Sequence, residues 1–252
     1  MIRSAYLQEL GDHRRDVEVK AVAEELDRRQ IPYKYFLEKN CRRNQLPFAA
    51  DTLVVGHIPV IHSALRQLGI QPPPANDYPE CLRPWLHRHM WASTVGKIVA
   101  ILQEGTGDPF FVKPVMEGKR LRGHVVAAWG DLAALAKAPD SALVYCSEVV
   151  NWKSEYRVFV YGGSIAGMRF YKGDDAVQID QREVEKAIKC LENSGSAPAG
   201  YSVDFGVLST GQTAFIEFND GYSLGAYGLE PKQYTDLLVA RWCQLTKNIL
   251  SP

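Results

Sequence analysis

The sequence predicts an α+β protein in which a small α/β unit precedes a larger unit of antiparallel strands and helices. Helical and extended segments alternate over the first 70 residues, and closely spaced strand-like segments fill residues 109–220. Between them lies QPPPANDYPE (71–80), whose prolines favour the extended backbone of a linker. We therefore expect two domains, residues 1–80 and residues 81–252.

Composition excludes several classes of protein. The 252 residues are 46% apolar and 23% charged, which are ordinary values for a globular chain. Lys and Arg number 29, and so do Asp and Glu, so the basic excess typical of nucleic-acid binding is missing. Five scattered cysteines form no CxxC pattern, and no apolar run approaches the ~20 residues of a membrane span. We expect a cytoplasmic protein with neither a nucleic-acid partner nor a membrane partner.

Apolar spacing predicts the elements of the first domain. Residues 16–30 place Val, Ala and Leu side chains at helical intervals, and Pro32 ends that helix. Residues 33–37 and 51–56 predict short strands, and residues 58–69 predict a helix closed by a glycine. This alternation of strand and helix indicates a small α/β unit.

The second domain begins with residues 85–105, which predict one helix or two. Strands are then expected in close order at residues 109–115, 124–130, 142–150, 155–163 and 164–173. The remaining elements are a helix at 182–193, a hairpin at 201–220 that turns at 209–212, and a closing helix at 231–249. Gly162-Gly163 signals a tight hairpin turn, so an antiparallel sheet with helices is expected.

A lysine and a basic loop are the first candidate functional features. Lys113 lies in the apolar strand FFVKPV, where its ammonium must reach either water or an anionic partner. The following loop, MEGKRLRG (116–123), carries cations between glycines, among them Lys119. Such a loop could fold over phosphates, or it could be an ordinary solvated hairpin loop.

Acidic and amide side chains on two pairs of strands are the other candidates. Glu148 and Glu155 flank the connection between two strands, and Arg157 shares a face with Glu155, where a surface ion pair is the alternative. In the hairpin 201–220, Asp204 lies between apolar residues. Glu217 and Asn219 share one face, and the register could bring Asp204 opposite them. Oxygen ligands of this kind suit magnesium, so they predict a cation site, with a solvated polar face as the alternative.

Together, FVKP, the basic loop, the Glu148-to-Glu155 connection and the Asp204/Glu217-x-Asn219 hairpin resemble the ATP-grasp superfamily. The resemblance covers about residues 85–240 and is stronger to small, compact members of uncertain substrate than to the large biosynthetic ligases. It implies an ATP-grasp fold, in which two α+β subdomains grip ATP, preceded by a small α/β pre-ATP-grasp domain.

The resemblance also implies a role for each candidate residue. Lys113 would contact the α- and β-phosphates, Glu148 with the backbone of Val149 and Val150 would read adenine, Glu155 would hold the ribose, Asp204, Glu217 and Asn219 would carry one or two Mg²⁺ ions, Arg157 and Arg169 would face the transferred phosphoryl group or a substrate carboxylate, and Lys119 would cap the γ-phosphate. Lys97 and Arg88 compete for a second phosphate contact.

The implied activity is an ATP-dependent carboxylate–amine ligase that passes through an acyl phosphate. Its substrates would be a small-molecule or peptide carboxylate and an amine nucleophile, with ATP and magnesium as cofactors. A kinase on the same scaffold and a non-catalytic ATP-binding module are the alternatives. GYSLGAYG (221–228) follows the metal residues and offers flexible backbone and tyrosines, so it predicts either substrate recognition or an ordinary turn. The sequence leaves open a homodimer formed through the first domain.

Overall fold

The computed structural model describes residues 1–104, 108–115, 123–128, 130–131 and 138–247. Its amino-terminal unit contains β1 (Ser4–Glu9), α1 (Val17–Arg28), β2 (Tyr33–Leu37), α2 (Glu38–Arg42), β3 (Thr52–Val55) and α3 (Ile58–Gln67). The three strands form a parallel sheet in the order β2-β1-β3. The predicted α/β unit is therefore present.

The central strand of this sheet, β1, has no counterpart among the predicted elements. Its sequence, SAYLQE, mixes polar and apolar residues over only six positions and is not bounded by turn residues. Buried parallel strands are easier to recognise when they are continuous apolar runs, as in β3, where every residue is buried. The small helix α2 was also not predicted, because five residues give too short a pattern.

The last helix, α6 (Pro231–Thr246), returns from the far end of the chain to pack on this amino-terminal unit. Its residues Leu237, Leu238 and Trp242 are buried in the same apolar core as β1, β3, α1 and α3. The two-domain division at residue 80 stays a prediction, and the first core draws on both ends of the chain.

An ion-pair cluster also connects α1 to α6. Glu25 accepts hydrogen bonds from Arg28 and Arg29, and Arg29 also donates to Asp236 at 2.6 Å. The hydrogen bond from Arg28 is the largest influence on Glu25, and together with Arg29 it lowers the pKa of Glu25 to about 2 despite burial. Glu25 therefore stays charged, and keeps these partners, at any pH above that value.

We expect Glu25→Gln to lower the free energy of unfolding by about 1–2 kcal/mol at pH 7, since part of the cluster faces water. A depressed carboxyl pKa contributes stability above the unfolded-state value, near 4.5, and this contribution is lost as the pH falls through about 2. The two proteins should therefore converge in stability as the pH approaches 2. Urea unfolding at several pH values tests this, and a pH-independent difference would contradict it.

The second part of the chain begins with β4 (Met90–Thr94), α4 (Val95–Gln103), β5 (Phe110–Pro114), β6 (His124–Val126) and β7 (Leu143–Glu148). The strands form an antiparallel sheet in the order β4-β7-β5-β6. The prediction of helices throughout residues 85–105 is wrong at β4, which pairs with β7. Pairing with a distant strand overrides the local pattern there, and Thr94 then caps α4 by accepting from the Lys97 amide.

A second antiparallel sheet follows, in the order β11-β10-β8-β9. Its elements are β8 (Trp152–Tyr161), β9 (Ser164–Gly173), α5 (Gln181–Asn193), β10 (Gly200–Leu208) and β11 (Thr213–Asp220). Gly162 and Gly163 form the predicted tight turn, with φ angles of 57° and 73°. The second domain thus contains two sheets where one was expected, and the β7–β8 connection (149–151) joins them. In the part of the chain that is described, no helix is long and apolar enough to cross a membrane.

Candidate functional site

A cleft of about 840 Å³ lies between the linker (71–80), β5 and one face of the β11-β10-β8-β9 sheet. The segment 221–228 and the start of α3 close its other side. The charged and amide side chains that line it are Asp77, Lys113, Glu155, Arg157, Asp204, Glu217, Asn219, Asp220 and Arg241. Most of the predicted site residues therefore meet in one cavity.

Four charged residues form a single row across the second sheet. Strand register places Glu217 opposite Asp204, Asp204 opposite Arg157, and Arg157 opposite Arg169. Directly opposed residues of antiparallel strands share a face, so two carboxylates are followed by two guanidinium groups. A bulge beside this row, between Asp204 and Phe205, interrupts the regular pairing. Bulges are common where a sheet re-aims side chains at a site.

The centre of the row is a buried ion pair. The Arg157 Nε and Nη2 atoms donate to the two carboxylate oxygens of Asp204 at 2.8 and 2.7 Å. The two residues are only 4% and 2% exposed. Burial alone would lower the pKa of Arg157, but hydrogen bonding to Asp204 and its charge outweigh burial and raise it. The Tyr227 ring lies 4.8 Å from the guanidinium, and Glu217 lies 4.0 Å from Nη2.

Lys113 reaches the same sheet from β5. Its Nζ atom donates to Glu217 at 2.6 Å and also lies 2.6 Å from an oxygen of Asp77, in the linker. Burial favours the neutral amine, yet Glu217, Tyr78 and Asp77 together raise the pKa of Lys113. Of the two possibilities that the sequence left open for this lysine, the structure shows the anionic partner.

The predicted metal residues lie side by side on the hairpin. Glu217 is opposite Asp204, and the Asn219 amide nitrogen donates to Glu217 at 3.3 Å. Within the described residues, no group of three or more His, Cys, Asp or Glu side chains is arranged to hold a metal ion. The predicted set contains two carboxylates and one amide, and its role stays a prediction.

Glu155 lies in the cleft, two residues before Arg157 on β8. It accepts hydrogen bonds from the Tyr171 hydroxyl at 3.0 Å and from Lys172 Nζ at 2.7 Å. Burial, followed by the charges of Asp204 and Glu155, raises the pKa of Tyr171, so this phenol remains a donor to Glu155. Its predicted contact with ribose stays a prediction.

Glu148, Val149 and Val150 lie at the β7–β8 connection, where the chain passes from one sheet to the other. The Glu148 carboxylate accepts from the backbone amide of His89 at 3.1 Å, and Val149 is exposed. These three residues are not among the described residues that line the 840 Å³ cleft. They form a separate edge of the molecule, between the two sheets.

The structure separates the remaining candidates. Arg169 donates to the carbonyl oxygens of Gly228 and Met168, whereas Lys119, with the rest of the basic loop before Gly123, lies outside the described residues. Of the two competitors for a second phosphate contact, Lys97 is exposed in the first turn of α4. The competing guanidinium belongs to Arg88 and donates to the backbone oxygens of Leu86, Phe215 and Ile216.

Several cleft residues were missed by sequence reasoning. His62 is buried on α3, and its Nε2 atom lies 3.0 Å from the Tyr222 hydroxyl. Arg241 on α6 forms a two-point ion pair with Asp220, at 2.7 and 2.6 Å. Only Tyr222 had a sequence signal, through the segment 221–228. The others come from helices whose pattern is explained by packing alone.

Two antiparallel sheets that face a charged cleft, after a parallel α/β unit, define the ATP-grasp class of fold. The model of one family of ATP-grasp domains matches residues 85–237, which is more than half of the chain. The protein belongs to this ATP-grasp family, as the resemblance implied. A comparison with curated proteins finds no match.

Solved structures agree on the fold. The D-alanine–D-alanine ligase of Bacillus anthracis complexed with ATP is 14% identical, with a TM-score of 0.57 and 98% of each chain covered. A RimK domain ATP-grasp protein of Sphaerobacter thermophilus is 14% identical, with a TM-score of 0.54 and coverage of 99% of this chain and 100% of that one. The ATP-grasp ligase PsnB, complexed with Mg, ADP and a variant of its minimal precursor, is 12% identical, with a TM-score of 0.54 and coverage of 96% and 100%. Identities this low show the fold alone.

Proposed function

We propose that this protein is an ATP-dependent carboxylate–amine ligase that forms an amide or peptide-like bond through an acyl phosphate. The observation that carries the proposal is the convergence of Lys113, Arg157 and the carboxylates of Asp204 and Glu217 in one cleft between strands of two sheets. Phosphoryl transfer requires positioning and charge neutralisation more than covalent chemistry by the protein, and these side chains can supply both. The ATP-bound ligase among the similar structures supports the nucleotide.

The donor set fits a divalent cation. Asp204, Glu217 and Asn219 offer carboxylate and amide oxygens on adjacent strands, and hard cations such as Mg²⁺ prefer such ligands. When bound, the ion would neutralise negative charge on the β- and γ-phosphates. PsnB, which was solved with Mg and ADP, supports the same combination here.

The protein's own cations would act on the rest of the triphosphate. Lys113 is a charged ammonium at the edge of the row, which suits the α- and β-phosphates. Arg157 is fixed by Asp204 at two points, so its guanidinium is already oriented for the transferred phosphoryl group or the substrate carboxylate. Arg169 could supply a second guanidinium from the next strand if it left the Gly228 carbonyl.

The segment 221–228 is proposed to recognise the acceptor. Tyr222 and Tyr227 both line the cleft, and Ser223 donates to the Gly56 carbonyl at 2.9 Å. This segment therefore ties the sheet that carries Asn219 to the amino-terminal unit. A substrate bound there would contact both parts of the protein.

Product analysis tests the proposed reaction. The protein is incubated with ATP, magnesium, pools of amino acids or short peptides as acids, and hydroxylamine as a general amine. A ligase gives ADP, phosphate and a hydroxamate, whereas a kinase gives ADP and a phosphorylated product. Release of AMP and pyrophosphate would contradict both.

Nucleotide binding itself gives a measurable expectation. A ligand that binds only the folded state at a hundredfold excess over its Kd stabilises that state by about 2.7 kcal/mol. We expect ATP with magnesium to raise the melting temperature more than either component alone. Adenosine, which lacks the phosphates, serves as the matched control. No shift with any nucleotide would remove both the ligase and the non-catalytic ATP-binding hypothesis.

A further inference from the structure

The linker (71–80) runs through the cleft rather than around it. Residues 73–77 and Pro79 line the cavity, and the carbonyl oxygen of Asp77 accepts from the Phe218 amide of β11 at 2.9 Å. The next residue, Tyr78, is half-buried and packs edge-on against Tyr145, with ring centroids 4.9 Å apart. The linker is thus anchored on both sheets.

The anchored linker places a carboxylate on the predicted phosphate-binding lysine. An Asp77 oxygen lies 2.6 Å from Lys113 Nζ, the same distance as the oxygen of Glu217. A lysine ammonium has three donors, so two carboxylates already use most of its capacity. All three side chains are only partly exposed, so water screens this cluster less than it screens a surface pair.

We propose that the linker is autoinhibitory, with Asp77 occupying Lys113 in the nucleotide-free chain until the phosphates of ATP displace it. This inference rests on the proposed function, because it requires that Lys113 bind phosphate. Carboxylate and phosphate oxygens are the same kind of acceptor for an ammonium, and both are anionic. Holding both at one lysine in a cleft that already contains Glu217 would be unfavourable.

The displacement has a consequence for affinity. When only the fraction of molecules with the linker released can bind a ligand, the apparent Kd exceeds the intrinsic Kd by the inverse of that fraction. Release would also break the hydrogen bond between Asp77 and Phe218, since the carboxylate and the carbonyl belong to one residue. Nucleotide binding and linker movement are therefore coupled.

A positioning role for Asp77 makes the opposite prediction. If Asp77 merely held Lys113 in place for ATP, its loss would weaken nucleotide binding. If Asp77 competes with the phosphates, its loss would strengthen binding. The sign of the change in Kd therefore separates the two roles.

The experiment is calorimetric titration of the full chain with ATP and magnesium. Asp77→Asn keeps the side-chain shape and removes the charge, and we expect its Kd for ATP to fall about tenfold. Asp77→Glu retains a carboxylate and is expected to stay within about threefold of the wild type. Glu80→Gln removes an exposed charge of the same linker, which pairs only with Arg83 among described residues, and controls for net charge.

A second readout follows the linker directly. Hydrogen exchange of a peptide that contains Phe218 reports whether its amide loses the Asp77 carbonyl when ATP binds. We expect faster exchange at that amide with ATP in the wild type, and fast exchange without ATP in a protein in which Asp77 is replaced by Asn. If the wild type binds ATP while Asp77→Asn binds equally or more weakly, the autoinhibition is overturned and the proposed function stands. If neither protein binds ATP, the proposed function itself fails.

Discussion

Replacing Glu217 by glutamine is expected to reduce ATP turnover by roughly a hundredfold to a thousandfold while the fold survives. Glu217 is the carboxylate that the row, Lys113 and Asn219 share, so its charge acts on both the proposed cation and the lysine. Glutamine preserves the shape but is a weaker ligand for a hard cation. The measurement is ADP release under the conditions that give product with the wild type.

A binding measurement separates this effect from a general loss of structure. In Glu217→Gln, added magnesium should no longer increase the thermal shift produced by ATP, although ATP alone still binds. Glu185→Gln provides the matched control, since Glu185 is exposed on α5 and its carboxylate accepts from Gln181, away from the cleft. Unchanged turnover in Glu217→Gln would exclude Glu217 from the metal role.

The candidate site was predictable from the sequence to the extent that it depends on local alternation. Alternation along β11 placed Glu217 and Asn219 on one face, and the hairpin turn limited the register enough to suggest Asp204 opposite them. The pairing of Arg157 with Asp204 could not be derived in this way. It depends on β8 lying beside β10, and 38 residues separate the ends of these two strands in the chain.

The same distinction explains the missed fold elements. β4 and β1 are stabilised by strands far away in sequence, so local propensity does not reveal them. Asp77 lies in a segment whose prolines correctly predict extended backbone and say nothing about where that backbone runs. Its contact with Lys113 appears only when two domains and a linker are assembled around one cleft.

The buried pair of Arg157 and Asp204 carries the largest expected effect on stability. Arg157→Leu would leave the Asp204 carboxylate in a site that is 2% exposed, next to Glu217 and without its two-point partner. Removing one member of a buried ion pair typically costs about 3–5 kcal/mol, because the remaining charge is neither solvated nor paired. We expect a loss of this size in the free energy of unfolding, measured with urea.

The double variant Arg157→Leu/Asp204→Leu shows whether the cost comes from the stranded charge or from the pair itself. Replacing both members of a buried pair with apolar residues is often close to neutral, so the double variant should recover most of the stability lost in Arg157→Leu. Glu217 retains Lys113 in both proteins, which keeps the comparison confined to one pair. Additive losses would instead mean that the two side chains stabilise the sheet independently. Recovery of stability without recovery of ATP binding would indicate that the pair is retained for the site, where it orients a guanidinium, and not for the strength of the fold.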